Sequence, residues 1–239
     1  HNYRLLVSRG LSGGLVVVLY FWALARIPAG EAGLLYNLFP VIATAMSFFT
    51  FGERPTMHLI AALVVATSGV ALVLGMGRGG VSFGLGLGEV SALAAAVFAA
   101  SSANIIRAMR GTDNAPTIFF FFCLAGLPVV VPFALDPWPA VPSAWGLALV
   151  VGVAAFAAQV LMTEAYGALS VPEAAVWLQL TPIAQYLLAW PVLGERPSLS
   201  GLSGVVLAMA GVAYGTVLGH RASARGRAPP PPQATEPRA

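Results

Sequence analysis

Charge is scarce in this sequence. It contains no lysine, and only 9% of its 239 residues are charged, whereas a soluble domain carries roughly 25% charged residues. Apolar residues make up 58% of the chain, so too few polar groups remain to cover a water-soluble fold. This scarcity excludes a soluble globular protein and a nucleic-acid binder. It predicts an all-α polytopic protein of the lipid bilayer.

Residues for covalent, metal or redox chemistry are also few. The single cysteine, Cys123, excludes an intrachain disulfide. The pattern Gly-x-Ser-Gly occurs twice and matches rhomboid-type intramembrane proteases, but that chemistry needs a histidine beside the serine at membrane depth. None of the three histidines lies in the middle of an apolar segment: His1, His58 and His220. We therefore expect no catalytic residue, metal site or cofactor, and an intramembrane enzyme is only a distant alternative.

Apolar segments long enough to cross a bilayer occur eight times, separated by stretches rich in glycine, proline and charge. They span residues 10–26, 31–51, 57–75, 83–109, 116–135, 145–168, 172–193 and 199–219. Beyond them, residues 220–239 hold four arginines and a run of four prolines, without apolar periodicity. This last part is predicted to be a disordered tail.

An internal repeat relates the two ends of the chain. The sequence of Gly52–Pro55 recurs in Gly194–Pro197, at an offset of 142 residues, and the same offset pairs Pro40 with Pro182. The first three apolar segments therefore match the last three. Equivalent segments are five steps apart along the chain, and because five is odd they are expected to run in opposite directions. Transporters build alternating access around a midplane site from such inverted repeats.

The distribution of arginine predicts the orientation in the membrane. Nine arginines lie on segments of one side: Arg4, Arg9, Arg54, Arg107, Arg110, Arg221, Arg225, Arg227 and Arg238. Only Arg26, Arg78 and Arg196 lie on the other side. Because cytoplasmic loops carry the excess of cations, the C-terminal tail and the loop at Gly52–Pro55 are predicted to be cytoplasmic, in a multi-pass protein of the inner membrane.

The two Gly-Glu-Arg-Pro loops carry a family resemblance. Each follows a proline inside an apolar segment by about a dozen residues and precedes a helix that contains Gly-Val. In this they resemble the EamA-type drug/metabolite transporters, and the similarity extends through residues 27–33, 39–41, 88–89, 165–166 and 181–183. The resemblance implies two inverted halves of five helices each, with both termini cytoplasmic. It also implies transport of small organic solutes, often outward.

The resemblance also implies a division of the chain. Residues 1–80 correspond to the last three helices of a first repeat, residues 81–219 to a complete second repeat, and residues 220–239 to the tail. The first two of ten helices are then expected before His1. We expect a secondary transporter that exports small metabolites or drugs by alternating access around a midplane cavity. A transport-inactive membrane fragment or scaffold is the alternative.

Two prolines and two amides mark the predicted midplane site. Pro40 and Pro182 lack the N–H that would bond the carbonyl one turn earlier, and Asn37 and Gln179 lie three residues before them. Because unpaired polar groups are costly in hydrocarbon, these groups are expected to face a wet cavity or a solute. Alternatively, the prolines only bend their helices and the amides bond the nearby backbone. The remaining predicted solute contacts are Tyr36, Asn104, Gln159, Thr163, Trp177 and Gln185.

Two carboxylates and a glycine stripe complete the set of candidates. A buried carboxyl can carry a proton, which makes Glu89 and Glu164 candidates for proton coupling; the alternative is an interfacial carboxylate paired with arginine or water. Gly211, Gly215 and Gly219 recur at a spacing of four, which permits close helix approach within the bundle or in a homodimer. The expected partners are a small solute and the bilayer, and no nucleic acid.

Overall fold

The computed structural model of the protein describes residues 2–74, 86–134, 141–193 and 197–226. Within these residues the chain forms ten α-helices, one short 3-10 turn and no strand. The helices are α1 (Tyr3–Leu24), α2 (Ala29–Tyr36), α3 (Phe39–Phe51), α4 (Met57–Val73), α5 (Leu87–Met109), α6 (Ala115–Val130), α7 (Pro142–Ala168), α8 (Val171–Leu178), α9 (Leu180–Leu193) and α10 (Leu199–Gly226). The prediction of an all-α chain is confirmed.

Six stretches of these helices are long and apolar enough to cross a membrane. They are Tyr3–Leu24, Glu31–Phe51, Leu87–Met109, Ala115–Phe133, Pro142–Ala168 and Leu199–Val217. Helix α4 is apolar but shorter, with 17 residues, and the predicted segment 172–193 is divided between α8 and α9. The membrane class is therefore confirmed, while the count of eight crossings and the inverted arrangement stay predictions.

Two of the predicted segments are broken at equivalent places. Helix α2 ends at Tyr36 and α3 begins at Phe39, whereas α8 ends at Leu178 and α9 begins at Leu180. The residues Tyr36 and Leu178 are related by the offset of the sequence repeat. A proline in the first turn of a helix is tolerated because the N–H it lacks would have no helical partner there. Each proline of the repeat therefore begins a new helix instead of kinking a continuous one.

Helices α4 and α10 pack with their backbones in close approach. A Cβ atom added to Gly69 of α4 would lie 2.6 Å from the carbonyl oxygen of Gly204. In the opposite direction, a Cβ atom added to Gly211 would lie 2.6 Å from the amide nitrogen of Ala66, and one at Gly215 would meet Val176 and α4. Two glycines of the predicted stripe, Gly211 and Gly215, therefore pack against other helices of the same chain. They are not available for contact with a second copy.

The C-terminal helix is longer than the sequence predicts. Helix α10 continues to Gly226, beyond residue 220, where the tail is predicted to start. Alanine and arginine, which are frequent in this stretch, are strong helix formers and extend the last turns. The surroundings of Gly219, the loop residues 194–196 and the tail 227–239 lie outside the described residues, and the domain division of the chain stays a prediction.

One end of the bundle has a closed apolar core. The core joins Leu6 of α1 to Ile106 and Met109 of α5, Ile118 of α6 and Tyr166 of α7, all of which are at most 1% exposed. Buried alanines recur along α5 and allow its neighbours to pack closely. Beside the core, α1, α5 and α7 line a cavity.

Candidate functional site

A cavity of about 310 Å³ lies between α1, α5 and α7. Single residues of α2, α3 and α6 complete its wall, which is largely aliphatic and aromatic. Six wall residues carry polar groups: Arg9, Tyr20, Tyr36, Ser102, Gln159 and Tyr166. An apolar cavity with a few convergent polar groups is the usual form of a small-molecule site.

Arg9 is the only charged residue among those lining the cavity in the described part of the chain. It is 4% exposed and lies nearly two turns inside α1. Its Nη2 donates a hydrogen bond of 3.1 Å to Oε1 of Gln159, and its guanidinium carbon lies 4.3 Å from the ring centre of Phe122. The buried Nε has no hydrogen-bond partner. Among the described residues, no carboxylate pairs with this arginine.

This position corrects one step of the sequence analysis. The segment predicted from the sequence begins at residue 10, and Arg9 was therefore counted as a loop cation that sets the orientation. Helix α1 begins at Tyr3, so Arg9 lies within the bundle, and without it eight arginines remain on the predicted cytoplasmic side against three on the other. A charged side chain within a membrane helix is itself the signal that points to a functional site.

Gly13 makes room for the arginine. It lies one turn beyond Arg9 on α1, and a Cβ atom at Gly13 would lie 2.5 Å from Nη1 of Arg9 and would collide with the ring of Phe122. Only glycine leaves the guanidinium space to lie over that ring. The side chain of Arg9 is therefore held by three neighbours, on α1, α6 and α7.

Aromatic rings form a second part of the wall. The ring centres of Tyr20 and Tyr36 are 4.8 Å apart, and those of Tyr36 and Phe39 are 5.3 Å apart. Such rings offer apolar faces for an organic solute and hydroxyl groups for hydrogen bonds. The wall thus combines one cation with several aromatic surfaces.

Among the predicted solute contacts, Tyr36 and Gln159 lie on the cavity wall. Thr163 is one turn from Gln159 but is buried and does not line the cavity. Asn104 is also buried, and its amide donates hydrogen bonds of 3.2 and 3.0 Å to backbone carbonyls of α3 and α5. The structure therefore gives Asn104 a role in joining two helices.

The two amides of the repeat do not meet in the cavity. The side chain of Asn37 donates a hydrogen bond of 2.9 Å to the carbonyl of Gly33. Gln179 is fully buried and donates a hydrogen bond of 2.8 Å to the hydroxyl of Thr67, while its own carbonyl oxygen has no partner. The contact of Asn37 agrees with the alternative in which the amides bond the nearby backbone, whereas Gln179 bonds a side chain of α4.

Three further candidates lie away from the cavity, and the side chain of a fourth lies outside the described residues. Pro40 and Pro182 are buried in the first turns of α3 and α9. Trp177 is 49% exposed and lies beside a small groove between α4, α8 and α10. The side chain of Gln185 lies outside the described residues.

The two carboxylates considered for proton coupling do not line the cavity either. Glu89 lies in the first turn of α5, where the positive end of the helix dipole favours a carboxylate. The side chain of Glu164 is 51% exposed and forms an ion pair with Arg110. Proton coupling through Glu89 stays a prediction, and the Glu164 contact is the interfacial pair named as its alternative.

Glu53 ties several helices together at the closed end of the bundle. Its Oε1 accepts a hydrogen bond of 3.2 Å from Nε of Arg107, and its Oε2 accepts one of 2.9 Å from the backbone N–H of Val171. Arg107 also donates to the carbonyl of Tyr166 at 3.1 Å. One carboxylate thus joins the α3–α4 loop to α5 and α8 and, through Arg107, to α7. The repeated motif pointed to Glu53, but its distant partners required the structure.

Comparison with known proteins gives the site its context. The model of the EamA-like transporter family matches residues 2–75 and 86–216. The pseudopaline exporter CntI of Pseudomonas aeruginosa is 29% identical over 206 residues, which cover 85% of this chain and 71% of that protein. The protein named probable terminal-alkyne amino-acid exporter of Streptantibioticus cattleyicolor is 30% identical over 200 residues, which cover 82% of this chain and 66% of that protein.

A solved crystal structure has the same fold. It superposes with a TM-score of 0.79 at 24% sequence identity, and the match covers 93% of this chain and 79% of that chain. The family match extends over most of the described helices, including every helix that lines the cavity. The family resemblance inferred from the Gly-Glu-Arg-Pro loops is confirmed, and the chain belongs to the EamA-like transporter family.

Proposed function

We propose that the protein is a secondary transporter that exports small organic solutes across the inner membrane by alternating access around the cavity. The observation that carries this proposal is the cavity itself, which brings Arg9, Gln159 and three tyrosines together inside a bundle of apolar helices. Two relatives are named as exporters, one of pseudopaline and one of a terminal-alkyne amino acid, and their names support outward transport of metabolites.

Alternating access requires that the two ends of the cavity open in turn. The end near the C-terminus of α5 is closed by the apolar core and by the contacts of Glu53. If the arginine count sets the orientation, this closed end faces the cytoplasm and the structure corresponds to an outward-facing state. The matched breaks at Tyr36 and Leu178 support two related halves that exchange roles.

The first prediction concerns the cavity. Ala99 of α5 lines it and is 9% exposed, so Ala99→Phe places a ring in the solute space. Overpacking of this kind costs about 1–3 kcal/mol, and export is expected to fall about tenfold or more. Cells that produce the full-length wild-type protein or the variant are compared by untargeted mass spectrometry of the medium.

The matched control for this comparison is Ala154→Phe. Ala154 lies on the exposed side of α7, so its replacement adds the same ring without entering the cavity. Wild type and Ala154→Phe should release the same solutes, and Ala99→Phe should not. A medium that is identical for all three proteins would exclude export through this cavity and would favour the scaffold alternative.

A second prediction concerns orientation. The arginine count places residues 220–239 in the cytoplasm, so a cysteine at Ala222 should be shielded from an impermeant maleimide in intact cells, and a cysteine at Pro139 should react. The native Cys123 is exposed and is first replaced by alanine. Labelling at Ala222 without labelling at Pro139 would contradict the topology.

A further inference from the structure

We propose that the exported solute carries a carboxylate group and that Arg9 binds this group in the cavity. This inference rests on the proposed transport function and adds the chemical class of the solute. It follows from the state of the guanidinium, its neighbours and the size of the space in front of it.

The first step is the missing counter-ion of Arg9. The side chain is 4% exposed, and a buried charge is costly unless it is paired. Its partners among the described residues are the neutral amide of Gln159 and the ring of Phe122. Within the described residues, only one of the five N–H donors of the guanidinium has a hydrogen-bond acceptor, and the buried Nε has none. An anion in the cavity would supply the absent charge and acceptors for the terminal nitrogens of the guanidinium.

The second step is the geometry of the free donors. Gln159 accepts from only one N–H of Nη2, so the terminal nitrogens Nη1 and Nη2 keep N–H groups that a ligand in the cavity can bind. Two N–H groups of a guanidinium match the two oxygens of a carboxylate, and this bidentate pairing is among the strongest hydrogen-bonded contacts in proteins. Nη1 lies against Gly13, in the space that a Cβ atom would otherwise occupy. Gln159 is thus a positioning residue, since it orients the guanidinium without requiring its own contact with the solute.

The third step separates a carboxylate from a phosphate. A phosphate group carries roughly two negative charges at neutral pH, whereas the cavity wall offers a single cation among the described residues. Its remaining surface is mostly aliphatic and aromatic, including Tyr20, Tyr36 and Phe39. A monoanion with an organic body satisfies both parts of this wall, and a second negative charge would remain unpaired beside the rings.

The test measures binding to the purified full-length protein in detergent. The probes are three monocarboxylic acids, each paired with the amide in which a neutral group replaces the carboxylate: phenylacetate with phenylacetamide, L-phenylalanine with L-phenylalaninamide, and hexanoate with hexanamide. Inorganic phosphate is the fourth anion. Affinity is determined by calorimetry and by the shift of the thermal unfolding midpoint. At least one acid should bind more tightly than its amide and more tightly than phosphate.

Two variants test the role of Arg9 in this preference. Arg9→Gln removes charge-assisted hydrogen bonds and should weaken binding of the preferred acid roughly 10- to 100-fold. Gln159→Glu places a carboxylate next to Arg9 in a pair that the fold already brings to hydrogen-bond distance. This internal anion should abolish the preference for acids even if Arg9→Gln proves too unstable to measure.

The matched control is Arg26→Gln. Arg26 follows the same helix and also lies over an aromatic ring, that of Trp22, but it is exposed and outside the cavity. Its replacement should leave acid binding unchanged. The proposal is overturned if no acid binds, if acids and amides bind equally, if phosphate binds best, or if the preference survives in both Arg9→Gln and Gln159→Glu.

The outcomes also separate this inference from the transport function. Export that depends on Ala99, without any preference for acids, would leave the transporter standing and refute the carboxylate. Acid binding that depends on Arg9, without export that depends on Ala99, would support the binding site and refute transport through the cavity.

Discussion

Replacing Glu53 by glutamine is expected to open the bundle at the end of the cavity that is closed in the structure. The carboxylate accepts hydrogen bonds from Arg107 and from the N–H of Val171, and its side chain is 16% exposed. Glutamine removes the negative charge and can accept with only one oxygen. A loss of about 1–2 kcal/mol from such contacts shifts a two-state equilibrium roughly 5- to 30-fold.

The shift can be measured by cysteine labelling. A cysteine at Ala103, which lines the cavity, is introduced in a Cys123→Ala background. Vesicles that expose the Gly52–Pro55 side to the reagent should label several-fold faster with Glu53→Gln than with the parent. Glu164→Gln is the comparison, because it breaks a more exposed ion pair and such pairs contribute about 0–1 kcal/mol. Equal labelling rates for Glu53→Gln and its parent would refute a closing role of Glu53.

Replacing Gly69 by leucine is expected to prevent stable packing of α4 against α10. A Cβ atom at this position would lie 2.6 Å from the carbonyl oxygen of Gly204 and 2.7 Å from Cα of Ala208. These are backbone atoms, which cannot rotate aside as a flexible side chain would. The two helices must separate, and the free energy of unfolding should fall by about 3 kcal/mol or more, a large part of the stability of an ordinary domain.

The measurement is the amount of monodisperse protein in size-exclusion chromatography and its thermal midpoint. Gly152→Leu is the matched control, since Gly152 lies in another membrane helix and no atom would contact its added Cβ within 4 Å. Gly152→Leu should behave as wild type, and Gly69→Leu should be largely aggregated. If the two variants have the same yield and midpoint, the close approach of α4 and α10 does not stabilise the fold.

The sequence by itself determined the class of the protein, its family and most of its helices. These follow from local properties, because a bilayer demands long apolar segments whose backbone groups are satisfied within the segment. The paired Gly-Glu-Arg-Pro loops identified the family. The offset of the sequence repeat also relates the helix breaks at Tyr36 and Leu178. The predicted helix ends were less accurate. Because the first segment was predicted to begin after Arg9, the sequence analysis did not identify this arginine as a buried cation.

Only the tertiary structure decided which polar groups share the cavity. Arg9 and Gln159 are 150 residues apart in the chain, and no local pattern connects them. The repeat showed that Asn37 and Gln179 are equivalent, but equivalence is not contact, and each amide bonds a group near it instead. In hydrocarbon a polar group must find a partner wherever the packing offers one. Whether that partner is a neighbouring carbonyl, another helix or a solute depends on how the helices pack, which the order of residues along the chain does not show.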